Sequence, residues 1–135
     1  MNNSTVLKNS QSLDHNNVDN LKRNTANIIQ LFKHWDLKVD EQCNLLGGIS
    51  PQQLNNFQNG KAHISGRDTI ERVGNLLGIH KSLRILYPYN RAVVYRWIKA
   101  RNKKLHNLTP LEVMLSQGYI GIAQVRKLTD YMRGN

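Results

Sequence analysis

Val39-Asp40-Glu41-Gln42-Cys43-Asn44-Leu45-Leu46-Gly47-Gly48-Ile49-Ser50-Pro51-Gln52-Gln53-Leu54-Asn55-Asn56-Phe57-Gln58-Asn59-Gly60 carries two helix signals with a glycine turn between them. A short helix is predicted over Val39 to Leu46. Gly47 and Gly48 end it, because glycine takes the left-handed backbone that follows a helix. The second helix opens at Ser50-Pro51. Ser50 can cap free backbone N–H groups, and Pro51 has no N–H to lose at the first helical position. Gln53 can close a capping box onto Ser50, and Ile49 can staple onto Leu54. That helix is expected to end near Asn59-Gly60. A short helix, a tight glycine turn and a second helix are the layout of a helix-turn-helix. Ile49, Leu54 and Phe57 are spaced to face the first helix, which leaves Gln52, Gln53, Asn55, Asn56 and Asn59 pointing outward.

Those outward residues are all amides. Asn and Gln can bond bidentately to adenine in the major groove, each good pair supplying roughly 1–3 kcal/mol of discrimination. Lys61 and His63 follow where phosphate would lie. Ser50, Gln52, Gln53, Asn55, Asn56, Asn59 and Lys61 are therefore the candidate DNA-binding residues. The other reading of the same face is a polar surface that is merely solvated.

On the N-terminal side, Leu21, Thr25, Ile28, Phe32 and Trp35 step by fours and threes, which predicts a helix over about Val18 to Trp35 with one buried face. The preceding residues, 1–17, are rich in Asn and Ser, lack the apolar run of a secretion signal and are expected to form a disordered arm. On the C-terminal side, a helix is predicted over Arg67 to Leu77 with Ile70, Val73 and Leu77 inward, stopped by Gly78. A short piece over His80 to Leu86 then ends before Pro88. A boundary near Tyr87 to Asn90 separates a first domain, 18–87, from a second, 88–135.

The second domain reads as three more helices. Arg91 to Ala100 places Val93, Val94, Trp97 and Ile98 on one side. Leu108-Thr109-Pro110-Leu111-Glu112-Val113 repeats the cap, proline, box and staple device, and Gly118 ends that helix. Ile122, Val125, Leu128 and Met132 mark a final helix. No stretch shows strand alternation, so the expected fold is all-α: a helix-turn-helix domain followed by a small helical domain.

The 135 residues carry a formal net charge of +10, and residues 91–135 hold nine basic side chains against two acidic. Such a surface suits an anionic partner, either nucleic acid or an acidic protein face. Arg91, Arg96, Lys99, Arg101, Lys103 and Lys104 follow one another with no acid among them, and could meet phosphate or dock on a protein. Trp97, inside this run, reads as core by its helical spacing or as an interface anchor. Cys43 is the single cysteine and reads as a small buried residue, consistent with a reducing, cytoplasmic setting. No apolar run reaches the roughly 18 residues that cross a membrane.

Nothing in the chain reads as an active site. His15, His34, His63, His80 and His106 are scattered, with no metal-ligand spacing to Cys43 or an acid. Gly60-Lys61 lacks the leading glycine and the Ser/Thr of a phosphate-binding loop. Asp40-Glu41 is best read as negative charge at a helix N-terminus. No catalytic residue, metal or cofactor is expected.

Two runs carry a family resemblance. Leu45-Leu46-Gly47-Gly48-Ile49-Ser50, followed by Glu71-Arg72-Val73-Gly74-Asn75-Leu76-Leu77-Gly78-Ile79-His80-Lys81-Ser82-Leu83, resembles the Xre-like helix-turn-helix of the Xre/MbcA/ParS antitoxins. Trp97-Ile98, then Leu108-Thr109-Pro110-Leu111-Glu112-Val113-Met114-Leu115 and Gly118, resembles that family's C-terminal toxin-binding domain. The chain departs from the family at the paired glycines of the turn and in the loop after Trp97, which lacks the usual Pro-Asn pair and glycine. The resemblance implies a bacterial type II antitoxin whose partner is a RES-domain toxin, an enzyme that consumes NAD or transfers ADP-ribose. The C-terminal domain would obstruct the toxin's active site, and the protein, as a homodimer within a larger complex, would bind operator DNA and repress its own operon. Toxin contact is then expected from Arg101, Lys103, Gln124, Arg126, Lys127, Asp130, Tyr131 and Arg133. The competing reading is a free-standing helix-turn-helix repressor with no toxin.

Overall fold

The computed structural model describes residues 3–134, with side chains from residue 17 onward. Six α-helices follow in order: α1 (Asn3–His34), α2 (Val39–Leu45), α3 (Pro51–Gln58), α4 (Arg67–Leu86), α5 (Arg91–Arg96) and α6 (Pro110–Met132). Two 3-10 turns, Trp97–Lys99 and Lys103–Leu105, lie between α5 and α6. There is no strand among the described residues, only an isolated bridge between Asn102 and Leu108. The fold is all-α, as expected.

The face read from the sequence of α1 is the buried one: Thr25, Ile28, Phe32 and Trp35 all lie inside. Thr25 earns its place in an apolar stripe through two bonds. Its Oγ1 donates to the Leu21 carbonyl at 2.6 Å and accepts from the Ile64 N–H at 2.9 Å, which ties the segment after α3 onto α1. The helix starts earlier than the predicted Val18. Its backbone runs back to Asn3, because no proline or glycine precedes Gly47 and a helix already nucleated extends at little cost per residue. The arm expected over 1–17 thus falls largely on residues whose side chains lie outside the described set.

The capping residues act as the sequence implied, but from one side only. Ser50 Oγ accepts from the Gln53 N–H at 3.1 Å, and Thr109 Oγ1 accepts from the Glu112 N–H at 3.0 Å. Neither Gln53 nor Glu112 returns a bond to its cap. The reciprocal carboxylate bond occurs instead on α2, where Glu41 Oε1 accepts from the Lys38 N–H at 2.8 Å. Cys43 is buried in α2, and burial, followed by the nearby Asp40 charge, pushes its thiol pKa up. It is a packing residue rather than a nucleophile.

Two readings of α4 require correction. The helix does not stop at Gly78: Arg67–Leu86 is continuous. At Gly78 the guanidinium of Arg126, arriving from α6, occupies the space where a Cβ would stand. The inward face is also rotated from the one expected. Val73, Leu76, Ile79 and Leu83 are fully buried, Leu77 is partly buried, and Ile70 is exposed. The single apolar cluster runs through all the helices, joining Phe32 and Trp35 to Leu46, Leu76, Ile98, Met114 and Ile122.

Gly118 breaks the last helix, as expected. Its backbone angles, φ 62° and ψ −140°, are non-helical and belong to a region open almost solely to glycine. The chain then re-enters a helix at once, and Gly121 comes so close to the Val113 carbonyl that a Cβ at position 121 would collide with backbone.

Between α1, α4 and α5, Tyr95 stacks with His34 at a ring-centroid distance of 4.4 Å and with His80 at 5.5 Å. His80 Nδ1 is buried without a hydrogen-bond partner among the described residues. Burial first, then the charges of Arg84 and His34, hold the His80 pKa below its ordinary 6.5. The unfolded chain therefore takes up a proton at His80 before the folded one does. The stability that His80 contributes is present above about pH 6.5 and is lost as pH falls below it. Urea denaturation across pH 7.5 to 5 (on the order of 2 pH units below the ordinary His pKa at most) should show stability declining on the acid side, with a shallower decline in His80→Phe; equal slopes would remove His80 from the account.

Two alanine substitutions test the backbone approach. Gly121→Ala should lower stability by about 1–3 kcal/mol, the cost of overpacking against groups that cannot yield. Gly74→Ala, where the added Cβ meets open space within α4, should be neutral or raise stability by up to about 1 kcal/mol. Thermal melts of the two variants read the contrast, and a Gly121→Ala protein that melts with the unaltered chain would contradict the close approach.

Candidate functional site

α3 presents its amides unevenly. Gln52, Asn55 and Asn59 are exposed, whereas Gln53 and Asn56 are half-buried. Gln52 Nε2 reaches the Asn56 side-chain oxygen at 3.4 Å, so these two neighbours order one another on the surface. Ser50 has its hydroxyl engaged as the cap, and Lys61 is exposed beyond the end of the helix. Gln58 shares the exposed face and was missed by the sequence reading, although its spacing from Asn55 placed it there. Behind this face, Leu54 and Phe57 are buried against the core as expected, with Ile49 packed partly against it.

The residues singled out on α6 divide into two groups. Gln124, Lys127 and Tyr131 are exposed, and Ile120 extends the row. Their spacing of four, three and four puts Ile120, Gln124, Lys127 and Tyr131 on one helix face. Two members are large and apolar yet wet: Ile120 is 73% exposed and Tyr131 68%. Ile120 was not read as a contact residue, although the period that located Gln124 also locates it.

Arg126, Asp130 and Arg133 turn the other way and clasp α6 to α4. Arg126 Nε donates to both Asp130 carboxylate oxygens, at 3.2 and 3.1 Å, and its Nη1 reaches the Gly74 carbonyl at 3.4 Å. The buried Ser82 hydroxyl donates to Asp130 at 3.3 Å and accepts from Arg133 Nη1 at 3.3 Å. Every charged member of the group thus has an intramolecular partner.

Arg101 and Lys103, the remaining pair, sit in the segment between α5 and α6. It is closely tied. Asn102 N–H donates to the Leu108 carbonyl at 3.0 Å, Asn107 N–H to the Asn102 carbonyl at 2.9 Å, and Arg101 Nη1 to the Asn107 carbonyl at 3.2 Å. His106 and Asn107 take positive φ, 55° and 68°, and Leu105 is buried beneath them. Lys103 and Lys104 therefore stand exposed on a closed loop. Trp97 is neither wholly core nor free. It packs partly on the core and, with Val93 and Ala100, lines an apolar surface hollow edged by Arg96 and Lys99.

No group of three or more His, Cys, Asp or Glu side chains among the described residues is placed to hold a metal. No helix there is long and apolar enough to cross a membrane.

Comparison with known proteins specifies the class. Residues 82–134 match the Xre/MbcA/ParS antitoxin C-terminal toxin-binding domain. A protein of Sinorhizobium fredii (strain NBRC 101917 / NGR234), described as "Uncharacterized protein y4oB", is 35% identical over 108 residues, which cover 79% of this chain and 81% of that one. No solved structure matches. The chain belongs to the Xre/MbcA/ParS antitoxin family. It is an antitoxin of a toxin–antitoxin system, its partner is a toxin, and it is a binding protein rather than an enzyme.

The division of α6 into an outward row and an inward clasp has a measurable consequence. Arg126→Ala should cost about 1 kcal/mol of stability, because it strips Asp130 of its main partner at a site only partly screened by water. Lys127→Ala, one position along, should stay within about 0.5 kcal/mol of the parent. Chemical denaturation compares the two, and equal stabilities would deny Arg126 its structural role.

Proposed function

We propose that this protein is a type II antitoxin that lays the outward row of α6 over the substrate cleft of a RES-domain toxin, an NAD-consuming or ADP-ribosylating enzyme. The observation that carries the reading is the row itself. Ile120, Gln124, Lys127 and Tyr131 form an exposed face inside the segment that matches a toxin-binding domain. Large apolar side chains left in water in a regular row on a fixed helix are what a partner's groove covers. Arg101 and Lys103 add positive charge from the closed loop between α5 and α6, and charge at the edge of an interface speeds encounter with an acidic mouth. Arg126, Asp130 and Arg133 contribute by fixing the angle of the helix, not by touching the toxin first.

The second half of the function is autorepression in the cytoplasm. The exposed amides of α3, Gln52, Asn55 and Asn59, read bases in the major groove of the operator, with Ser50, Gln53 and Asn56 shaping that face and Lys61 meeting phosphate. A homodimer within the toxin complex presents two such helices to half-sites about one turn, roughly 34 Å, apart. The first domain, 18–87, serves the DNA and the second, 88–135, serves the toxin.

Two experiments test the halves separately. The double variant Ile120→Asp, Tyr131→Ala should bind the toxin at least about thirtyfold more weakly, equivalent to roughly 2 kcal/mol of interface anchor, and should fail to protect cells while keeping its melting temperature. Full protection by a folded double variant would place the interface elsewhere. The variant Gln52→Ala, Asn55→Ala should lose affinity for the operator by about tenfold or more while holding random duplex as before. Parallel losses on both duplexes would mean that these amides do not read bases.

A further inference from the structure

The face of α4 that receives α6 runs on past the point where α6 ends. Gly74, Gly78 and Ser82 take the contacts of Arg126, Asp130 and Arg133. Ile85 lies three residues beyond Ser82 and seven beyond Gly78, so it continues the same helix face. α6 stops at Met132, and Ile85 is left 50% exposed. The chain then turns into α5 through Pro88, Tyr89 and Asn90, and Tyr89 is wholly exposed. The turn is already fixed. Asn90 N–H donates to the Tyr87 carbonyl at 3.3 Å, and Asn90 Oδ1 accepts from the Val93 N–H at 3.2 Å. Ile85, Pro88 and Tyr95 give an apolar lining to a hollow of about 560 Å³ beside the turn. Lys81, Arg84 and Arg91, all exposed, edge that hollow, and no aspartate or glutamate lines it.

We infer that the α4–α5 turn is a second docking patch for the toxin, with Ile85 and Tyr89 as apolar anchors and Lys81, Arg84 and Arg91 meeting carboxylates around them. The inference deepens the toxin-binding reading proposed above and rests on it for the partner. Residues 84–91 lie wholly inside the segment that matches the toxin-binding domain. The patch is also continuous with the face assigned to the toxin on α6: Arg133 ties the end of that helix to Ser82, and Tyr131 stands two residues earlier. Tyrosine and arginine around an aliphatic centre are the composition of a protein interface. The other occupants fit less well. A symmetric dimer would set the patch on itself and bring three cations against three cations with no carboxylate between them. The backbone of duplex DNA would meet the cations but would leave Ile85 and Tyr89 against charged phosphate. A partner surface with an apolar centre and an acidic rim satisfies both halves. Because the turn is bonded before docking, little backbone order remains to be gained on contact.

The test compares four full-length proteins in binding kinetics against the cognate toxin: the unaltered chain, Ile85→Gln with Tyr89→Ala, Arg84→Ala with Arg91→Ala, and the α6 variant Ile120→Asp with Tyr131→Ala. The Ile85/Tyr89 variant should bind the toxin at least about tenfold more weakly, chiefly through faster dissociation, and should hold its promoter duplex as the parent does. The Arg84/Arg91 variant should associate about three- to tenfold more slowly at low salt, with the difference closing as KCl is raised. Thermal melts check folding. If the Ile85/Tyr89 pair melts low, Tyr89→Ala alone carries the test, since that side chain is wholly exposed, with about threefold or greater loss expected. Parent-like toxin affinity in a folded turn variant overturns the patch and leaves the α6 row standing. Parent-like association in the Arg84/Arg91 variant overturns the acidic rim. Loss of promoter affinity with toxin affinity intact assigns the patch to DNA, and loss of a homodimer in sedimentation assigns it to a second copy; either result overturns the inference. If the turn variant weakens as stated and the α6 variant does not, the patch stands and the α6 row falls. An unaltered chain with no affinity for the toxin overturns both.

Discussion

The guanidinium of Arg126 lies where a side chain at position 78 would be, and the clasp between α4 and α6 is built around that contact. Because the group sits over α4, its Nη1 finds the Gly74 carbonyl and its Nε finds Asp130, whose carboxylate also accepts from buried Ser82. A charge brought this close to a helix backbone is tolerated only when its donors are occupied. The clasp meets that demand, and in doing so it fixes the rotation of α6 about its own axis. Ile120, Gln124, Lys127 and Tyr131 face water because Arg126, Thr129 and Arg133 do not. A polar contact of this kind contributes specificity of orientation more than net stability.

Glycine shows how far local reasoning carries. Gly118 and Gly78 look alike along the chain, each closing an apolar stripe of helical period. Gly118 does break its helix, through a backbone angle that its neighbours cannot adopt. Gly78 does not: α4 runs on through it, and the space beside it is filled from 48 positions away by the side chain of Arg126. The caps Ser50 and Thr109, the buried face of α1 and the burial of Cys43 were legible because each depends on residues within one or two turns. The face of α4 was read one step out of register, since Ile70 to Leu77 and Val73 to Leu83 are both periodic and only packing against α1 and α6 selects between them.

The same limit governs the candidate site. That the last helix carries charged and polar residues was plain; which of them are spent internally was not. Arg126, Asp130 and Arg133 differ from Lys127 and Tyr131 only in what lies opposite, and Ser82 is too far along the chain to be suspected as their common partner. The stacking of His34 and His80 on Tyr95 was equally hidden, since three rings from three helices share no spacing. Composition, by contrast, survived folding: the unbalanced positive charge of the sequence reappears as cations with no carboxylate to meet them.

The closed loop between α5 and α6 has a further consequence. Asn102 acts as its keystone, accepting from Leu105 and Asn107 through its carbonyl and from Lys104 through its side chain, while the Leu108 carbonyl takes its N–H. A basic segment of this length left unstructured would surrender about 1–2 kcal/mol of backbone entropy for each residue ordered on docking. Here that ordering is complete before any partner arrives. Lys103 and Lys104 therefore behave less like a tail that must be caught than like a fixed stud, and only their side-chain freedom remains to be given up when something settles against them.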